Sequence, residues 1–444
     1  MSNGVRVIRS LLDTDLYKLT MQAAIHANYP GVDCEFELTN RTPSKKLNKA
    51  GFEWFKRELG YLGDLRFTDA EIEYLQNELE YLGTAHFEWL KNVRLNPAEE
   101  LIVKSEVDEE GMVGISLRAR GAWDIVTLYE IPVLSLLSEA YFRFVDRIWC
   151  IDGNVVAQCT NNGIVKEVAF DIVEEQGVRK ASKLVANGCQ FSEFGTRRRR
   201  SFDVQYAVIC GLVRGSNVDG KGRLLGTSNV LMAKEFKIPP IGTVGHEWMM
   251  GIGAIEANRC GNYDGYLHAN RISMERYLSV VGPKHMGLAL TDTYGTENYL
   301  KDFKEPFVDY YIGVRQDSGD PTDYARKVSK WYSDRGYVGD KSKIICFSDS
   351  LNVEKCIRLQ KLCDEELELK PIFGIGTNLT NDFDSEPMNI VMKLIKCGGG
   401  FAIKLSDNVG KHMGDELTIL KVKERLGYVD TEWEGGNEEH RWGK

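Results

Sequence analysis

Four consecutive arginines, Arg197 to Arg200, stand in the segment F-S-E-F-G-T-R-R-R-R-S (191–201) of a chain whose formal charge is -9. Gly195 permits a sharp turn ahead of the run, and a helical pattern, Phe202 to Val213, follows it. The arginines therefore fall between an apolar strand-like piece and a helix start, where a βα unit carries its working residues. A solvated face and a nucleic-acid patch are the ordinary readings of such a run. No basic stripe surrounds it, and Glu193 and Asp203 flank it, which disfavours nucleic acid. A small anionic substrate suits it better, because guanidinium stays charged and grips phosphate or carboxylate through paired hydrogen bonds. Neighbours in a chain point different ways, so not all four turn inward; Arg197, nearest the turn, is the expected one.

Three acids, Asp292, Asp317 and Asp349, follow three successive apolar segments. One such Asp is an ordinary helix cap. Three in the same slot, opposite an arginine cluster, point to a sugar phosphate with Mg²⁺, the metal held mainly by substrate oxygens and water. Two of them could instead be the acid/base pair of a glycosidase. Gly374-Ile375-Gly376-Thr377 offers backbone N–H groups and a hydroxyl to a phosphate. It is not a dinucleotide fingerprint, since Leu379 replaces the third glycine, and no Walker A sequence exists. His246, one of seven histidines, follows Gly242-Thr243-Val244-Gly245. H-E-x-x-H is absent because position 250 is Met250. A structural histidine, a base and a nucleophile all remain open for it.

What positions these residues is a chain of 444 residues, enough for roughly two or three domains. Its apolar share (43%) and charged share (27%) are those of an ordinary soluble protein. The negative charge argues against a nucleic-acid binder or a basic membrane-surface protein. No apolar leader opens the chain and no run approaches 18 apolar residues, so neither a signal peptide nor a membrane span is expected. The ten cysteines form no C-x-x-C pair, and several sit in apolar patterns. They read as free thiols in a reducing compartment, the cytoplasm.

Asp13 to Asn28 reads as a helix capped by Asp13, with Tyr17 on one face. Val32 to Thr39 alternates as a strand with one wet side, and Gly111 to Arg120 alternates likewise. Thr68 to Glu71 is a capping box, and Pro132 starts a helix towards Val145. Val155 to Asn187 reads as a long helix interrupted near Asn161-Asn162-Gly163, with Gly188 closing it. From Cys189 onward, short apolar segments alternate with helical ones. Polar clusters follow the segments at 189–194, 224–225, 240–241, 288–290, 311–314, 344–347 and 372–373. Those seven βα units predict an α/β fold: an irregular βα barrel with its site at the strand C-termini, over 151–399, beside a mixed α+β N-terminal domain, 1–150. A doubly wound open sheet is the runner-up. The segment 400–444 is expected to complete the N-terminal domain.

Taken together, L-L-D-T-D-L-Y-K-L-T-M (11–21), S-E-F-G-T-R-R-R-R-S (192–201), L-L-G-T-S-N-V (224–230), I-G-T-V-G-H-E-W (241–248), L-T-D-T-Y-G-T (290–296), V-R-Q-D-S-G-D-P (314–321), F-S-D-S-L-N-V (347–353), F-G-I-G-T-N (373–378) and I-K-L-S-D-N (403–408) resemble nicotinate phosphoribosyltransferases. The resemblance runs from near residue 11 past 408 and is closest to the bacterial and fungal branch. It implies a split α/β domain with an irregular α/β barrel. The implied activity joins nicotinate and 5-phosphoribosyl-1-pyrophosphate into nicotinate mononucleotide and pyrophosphate, with Mg²⁺ and coupled ATP hydrolysis. By the same resemblance His246 is the phosphohistidine. Tyr17, Thr243 and Arg315 contact nicotinate, and Phe194 stacks on its ring. Arg197, Gly376 and Thr377 serve the phosphoribosyl side, and Asp292, Asp317 and Asp349 surround ribose, pyrophosphate and Mg²⁺. The family often completes its site across a homodimer, the Tyr17 segment crossing over. Nicotinamide is the rival substrate; relatives that use it place an aspartate where this chain has Ser228. A glycosidase or a silent sugar-phosphate-binding barrel is the rival from another class.

Overall fold

A computed structural model describes residues 6–147, 150–152, 155–159 and 165–433. Two sheets organise it. The first is five-stranded and antiparallel where its ladders are long. Its order is Gly400–Phe401, Ile390–Cys397, Asp33–Asn40, Val113–Ala122, Leu101–Val107. The Asp33–Asn40 strand alternates as expected: Phe36 and Leu38 are buried, while Glu37 is held by Arg118. Glu35, on the wet side, is also buried, and Arg118 and Arg120 neutralise it. Thr68 forms the expected capping box with Glu71 at the Asp69–Glu78 helix.

The second sheet has six strands, all parallel, in the order Arg223–Thr227, Gln190–Glu193, Leu369–Ile375, Lys343–Phe347, Gly313–Gln316, Leu288–Leu290. Six of the seven expected strand segments form. Pro240 makes only an isolated bridge to Thr227, because proline cannot donate to a ladder. Chain order runs around the sheet, with the last strand beside the first, which is the connectivity of a barrel and not of a doubly wound sheet. The ring stays open between Pro240 and Leu288–Leu290; there a hydrogen bond of 3.0 Å joins His246 Nδ1 and Thr293 Oγ1.

Two expectations about helices need correction. Val155 to Ala169 is not helical: Val155–Cys159 pairs antiparallel with Val165–Ala169 and Cys150–Asp152, and only Phe170–Ala186 is a helix. β-Branched Val155, Val156, Val165 and Val168 favour the pleated state. The interruption at Asn161-Asn162-Gly163 lies outside the described residues. The first helix is Leu16–Asn28, with Asp15 and not Asp13 at its cap. Trp123–Phe144 is long and apolar enough to cross a membrane, yet almost all of it is buried inside the protein as a core element. Pro132 lies in the first turn of its Glu130–Phe144 part. The chain returns to the N-terminal sheet at Ile390, ahead of the boundary expected at 400. Of the tail, the Glu416–Leu426 helix lies against the Tyr263–His268 turn instead.

Candidate active site

Gln190–Glu193 ends in a tight 3₁₀ turn, Thr196–Arg198, before Ser201 caps the Phe202–Gly215 helix. This divides the arginines. Arg197 lines a pocket above the strand ends and is held from behind by Asp15 at 3.5 Å and Glu130 at 3.6 Å. Arg198 lines the same pocket and donates to the Ile390 carbonyl. Arg199 and Arg200 are buried. Arg199 grips Asp13 with two hydrogen bonds of 2.7 Å, and Arg200 reaches Asn381 and Ser385 between the rings of Phe142 and Phe383. The solvated-face reading fails, and Asp13, expected to cap a helix, is instead the counter-ion of Arg199.

Phe194, Arg315, Asp317, Asp349, Gly376 and Thr377 line the pocket with Arg197. Phe194 lies on Gly374, where any side chain would come within 2.4 Å of its ring. Arg315 is fixed by three donors: Nε to Ser348 Oγ (2.8 Å), Nη1 to Thr243 Oγ1 (2.9 Å) and Nη2 to Asp317 Oδ1 (2.8 Å). Thr243 thus touches the guanidinium and orients it. Asp349 meets Lys411 at 2.6 Å.

A second hollow adjoins the first, sharing Arg197, Arg315, Asp317 and Lys393, and is lined also by Tyr17, Phe36, Glu130 and His246. Tyr17 reaches it from its own chain, across Gly245, whose missing side chain admits the ring. Ser228 donates to Asp15 at 2.7 Å, behind Arg197.

His246 opens the His246–Cys260 helix and is 8% exposed. Its Nε2 lies 3.0 Å from Asp317 Oδ2 and 2.9 Å from Lys404 Nζ. Lysine can only donate and the carboxylate only accept, so each ring tautomer satisfies one of them. Burial, aided by Lys404, pushes the imidazole down to about 4, so it is neutral at pH 7. Burial alone would raise the Asp317 carboxyl, but Arg315 and His246 outweigh it and hold it well below the usual range. Asp292 lines neither hollow. It is buried behind His246, taking a 2.5 Å hydrogen bond from Ser318 and facing Lys404 at 3.3 Å.

The residues missed from sequence are the basic ones of the opposite wall: Lys393 on the N-terminal sheet, Lys404, Lys411 and Arg41. Each lies singly in sequence, and only Lys404 sits within a recognisable motif, I-K-L-S-D-N. Below the site, Lys18 is sealed between Glu130 (2.6 Å) and Glu247, and Glu247 also accepts from Trp123 (2.8 Å) and Thr127 (2.7 Å).

The chain is similar to known proteins over nearly its whole length. The family model for the nicotinate phosphoribosyltransferase (NAPRTase) family matches residues 189–430, and that for the family's N-terminal domain matches residues 12–138. A Saccharomyces cerevisiae nicotinate phosphoribosyltransferase is 46% identical over 451 residues, covering 98% of this chain and 99% of the relative. One from Methanosarcina mazei is 36% identical over 94% of this chain and 97% of the relative. Among solved structures, that of the Porphyromonas gingivalis nicotinate phosphoribosyltransferase superimposes with a TM-score of 0.80 at 35% identity, covering 95% of this chain and 100% of that chain. A Saccharomyces cerevisiae structure of the same family name reaches a TM-score of 0.87 at 45% identity, covering 96% and 100%. The chain belongs to the nicotinate phosphoribosyltransferase family.

Proposed function

We propose that this protein transfers the phosphoribosyl group of 5-phosphoribosyl-1-pyrophosphate to nicotinate, forming nicotinate mononucleotide and pyrophosphate. The observation that carries the reading is the pocket wall: Arg197, Arg198, Arg315, Lys393, Lys404 and Lys411 converge on a space bounded by Phe194. A polyanion bearing a ribose suits the cations, and a flat acid suits the aromatic side. Arg315, already aimed by Thr243 and Ser348, would pair with the nicotinate carboxylate and point the ring nitrogen at C1. As pyrophosphate leaves C1, positive charge builds on the ribose and negative charge on the leaving group. Arg197 and the lysines, fixed beforehand, stabilise the latter.

Asp317 and Asp349 are hard oxygen donors facing the pocket, each already paired with a cation. They fit a Mg²⁺ that arrives with substrate oxygens and water and neutralises the pyrophosphate. The neutral, buried His246 fits the phosphohistidine role: ATP would pass its terminal phosphoryl group to a ring nitrogen, releasing ADP, and water would later release phosphate. Lys404 stands where that phosphoryl charge would develop. The described cysteines are free, which suits the cytoplasm.

The test is nucleotide synthesis from 5-phosphoribosyl-1-pyrophosphate and Mg²⁺, with nicotinate or nicotinamide, each with and without ATP. Nicotinate turnover strengthened by ATP is expected. Turnover of nicotinamide alone would overturn the substrate, and no turnover of either would overturn the reading.

A further inference from the structure

Most cations of the pocket already have a partner. Arg315 holds Asp317, Lys411 holds Asp349, Lys404 holds Asp292 and His246, and Arg197 rests between Asp15 and Glu130. Lys393 differs. It is half-buried in the Ile390–Cys397 strand, lines both hollows, and has no hydrogen bond or ion pair among the described residues. Its side chain gives up water without gaining a counter-ion, and that is the state in which an ammonium most easily loses its proton.

The charges around it come from every neighbouring element. Glu130 is the acid that favours its protonated form, and Lys18 and Arg197 already engage that carboxylate. Lys404, Arg197 and Arg41 repel its proton. Across the strand pair stands Glu37, which is bound to Arg118. From the parallel sheet, Asp317 is held by Arg315 and His246, and His246 is neutral. Tyr17 and Glu247 complete the surroundings, the latter bound to Lys18.

We propose that Lys393 is the proton-linked anion contact of the site: it takes up a proton from solvent as the phosphate-bearing substrate binds, and releases it as the product leaves. The proton adds to the Nζ lone pair, and no covalent bond to substrate forms. Burial, reinforced by Lys404, Arg197 and Arg41, brings the free amine down to about 7, so the unliganded enzyme at neutral pH is a mixture of both forms. A polyanion supplies the missing counter-charge and restores the ammonium. The inference rests on the anion-binding role given to this pocket above, and it adds a coupling that paired arginines cannot provide, since guanidinium does not titrate.

Titration calorimetry with inorganic pyrophosphate, in two buffers of different ionisation enthalpy at pH 8, counts the protons. The wild type is expected to take up more than Lys393→Arg, by a large fraction of one proton. Above pH 7 its affinity should also fall more steeply than that of the arginine variant, by up to roughly tenfold per pH unit. If Lys393→Arg does not fold, Lys393→Met carries the same comparison, with the uptake lost and binding weakened. Equal proton uptake in wild type and variant would overturn the inference and leave phosphoribosyl transfer intact. Absence of any pyrophosphate binding by the wild type would overturn both.

Discussion

Beneath the Thr196–Arg198 turn, Arg199 meets Asp13 in a two-pronged ion pair without solvent, and Glu193 is enclosed by Gln205, Thr227 and the Gly195 N–H. Above the same turn, Arg197 is about a third exposed, and its carboxylates stand off at 3.5 and 3.6 Å. The residue type is the same and the separation is two positions. The difference is satisfaction: below, each charged group is closely hydrogen-bonded, Arg199 by an opposite charge and Glu193 by neutral donors, and serves the fold; above, cations outnumber acids and wait for a ligand. Lys18 repeats the lower pattern and Lys393 the upper one. Convergent charge left incompletely paired, more than charge itself, marks the site.

That division can be broken at four points, taken from the largest effect down. His246→Ala is expected to abolish ATP stimulation while slow ATP-independent synthesis persists. Undiminished stimulation would remove the histidine from the upper layer altogether. Arg199→Met strands a buried Asp13 and should cost about 3–5 kcal/mol of stability in denaturant titration. A variant as stable as wild type but defective in substrate binding would merge the two layers. Arg197→Ala should lower kcat/KM at least about tenfold, the loss of one charge-assisted hydrogen bond, with little change in stability. Arg315→Ala should instead raise the nicotinate KM far more than that for 5-phosphoribosyl-1-pyrophosphate; equal losses would sink its carboxylate role.

The smallest effect is one of pH. His86 is buried with neither ring nitrogen hydrogen-bonded among the described residues, and burial, with His26 nearby, pushes it down to about 4. An unfolded histidine titrates near 6.5, so below that pH the unfolded chain binds the extra proton. Stability should therefore decline as pH falls from about 6.5 towards 4, and His86→Phe should flatten that decline in thermal melts. An unchanged slope would assign the decline to His246, which is shifted in the same direction.

Much of this was legible because local chemistry and global fold agree. Thr68 and Glu71 cap a helix wherever they stand, and a polar cluster after each short apolar segment located the strand ends around Asp317 and Asp349. What stayed hidden depends on distant partners. Nothing near Asp13 announces Arg199, and a lysine on an alternating strand looks like any wet-side residue until the pocket closes over Lys393. The antiparallel pair of Val155–Cys159 and Val165–Ala169 reads as helix in the sequence because short apolar runs fit either period, and its valines carry the opposing signal. The barrel's opening at Pro240 follows from one imino nitrogen, but only the sheet order shows where the gap falls.

The strand Ile390–Cys397 completes the N-terminal sheet by pairing with Asp33–Asn40. Translation delivers these partners at opposite ends of synthesis. While the ribosome makes everything between them, Asp33–Asn40 has a neighbour on one side only, and its other edge offers unpaired N–H and C=O groups to any passing strand. A nascent or truncated chain ending before Ile390 thus carries a sticky edge and also lacks Lys393, Lys404 and Lys411. Quality control and activity share one gate: the segment from Ile390 to Lys411 closes the sheet and supplies three of the pocket's cations, so a copy that stops short of it has neither a sealed edge nor a complete pocket.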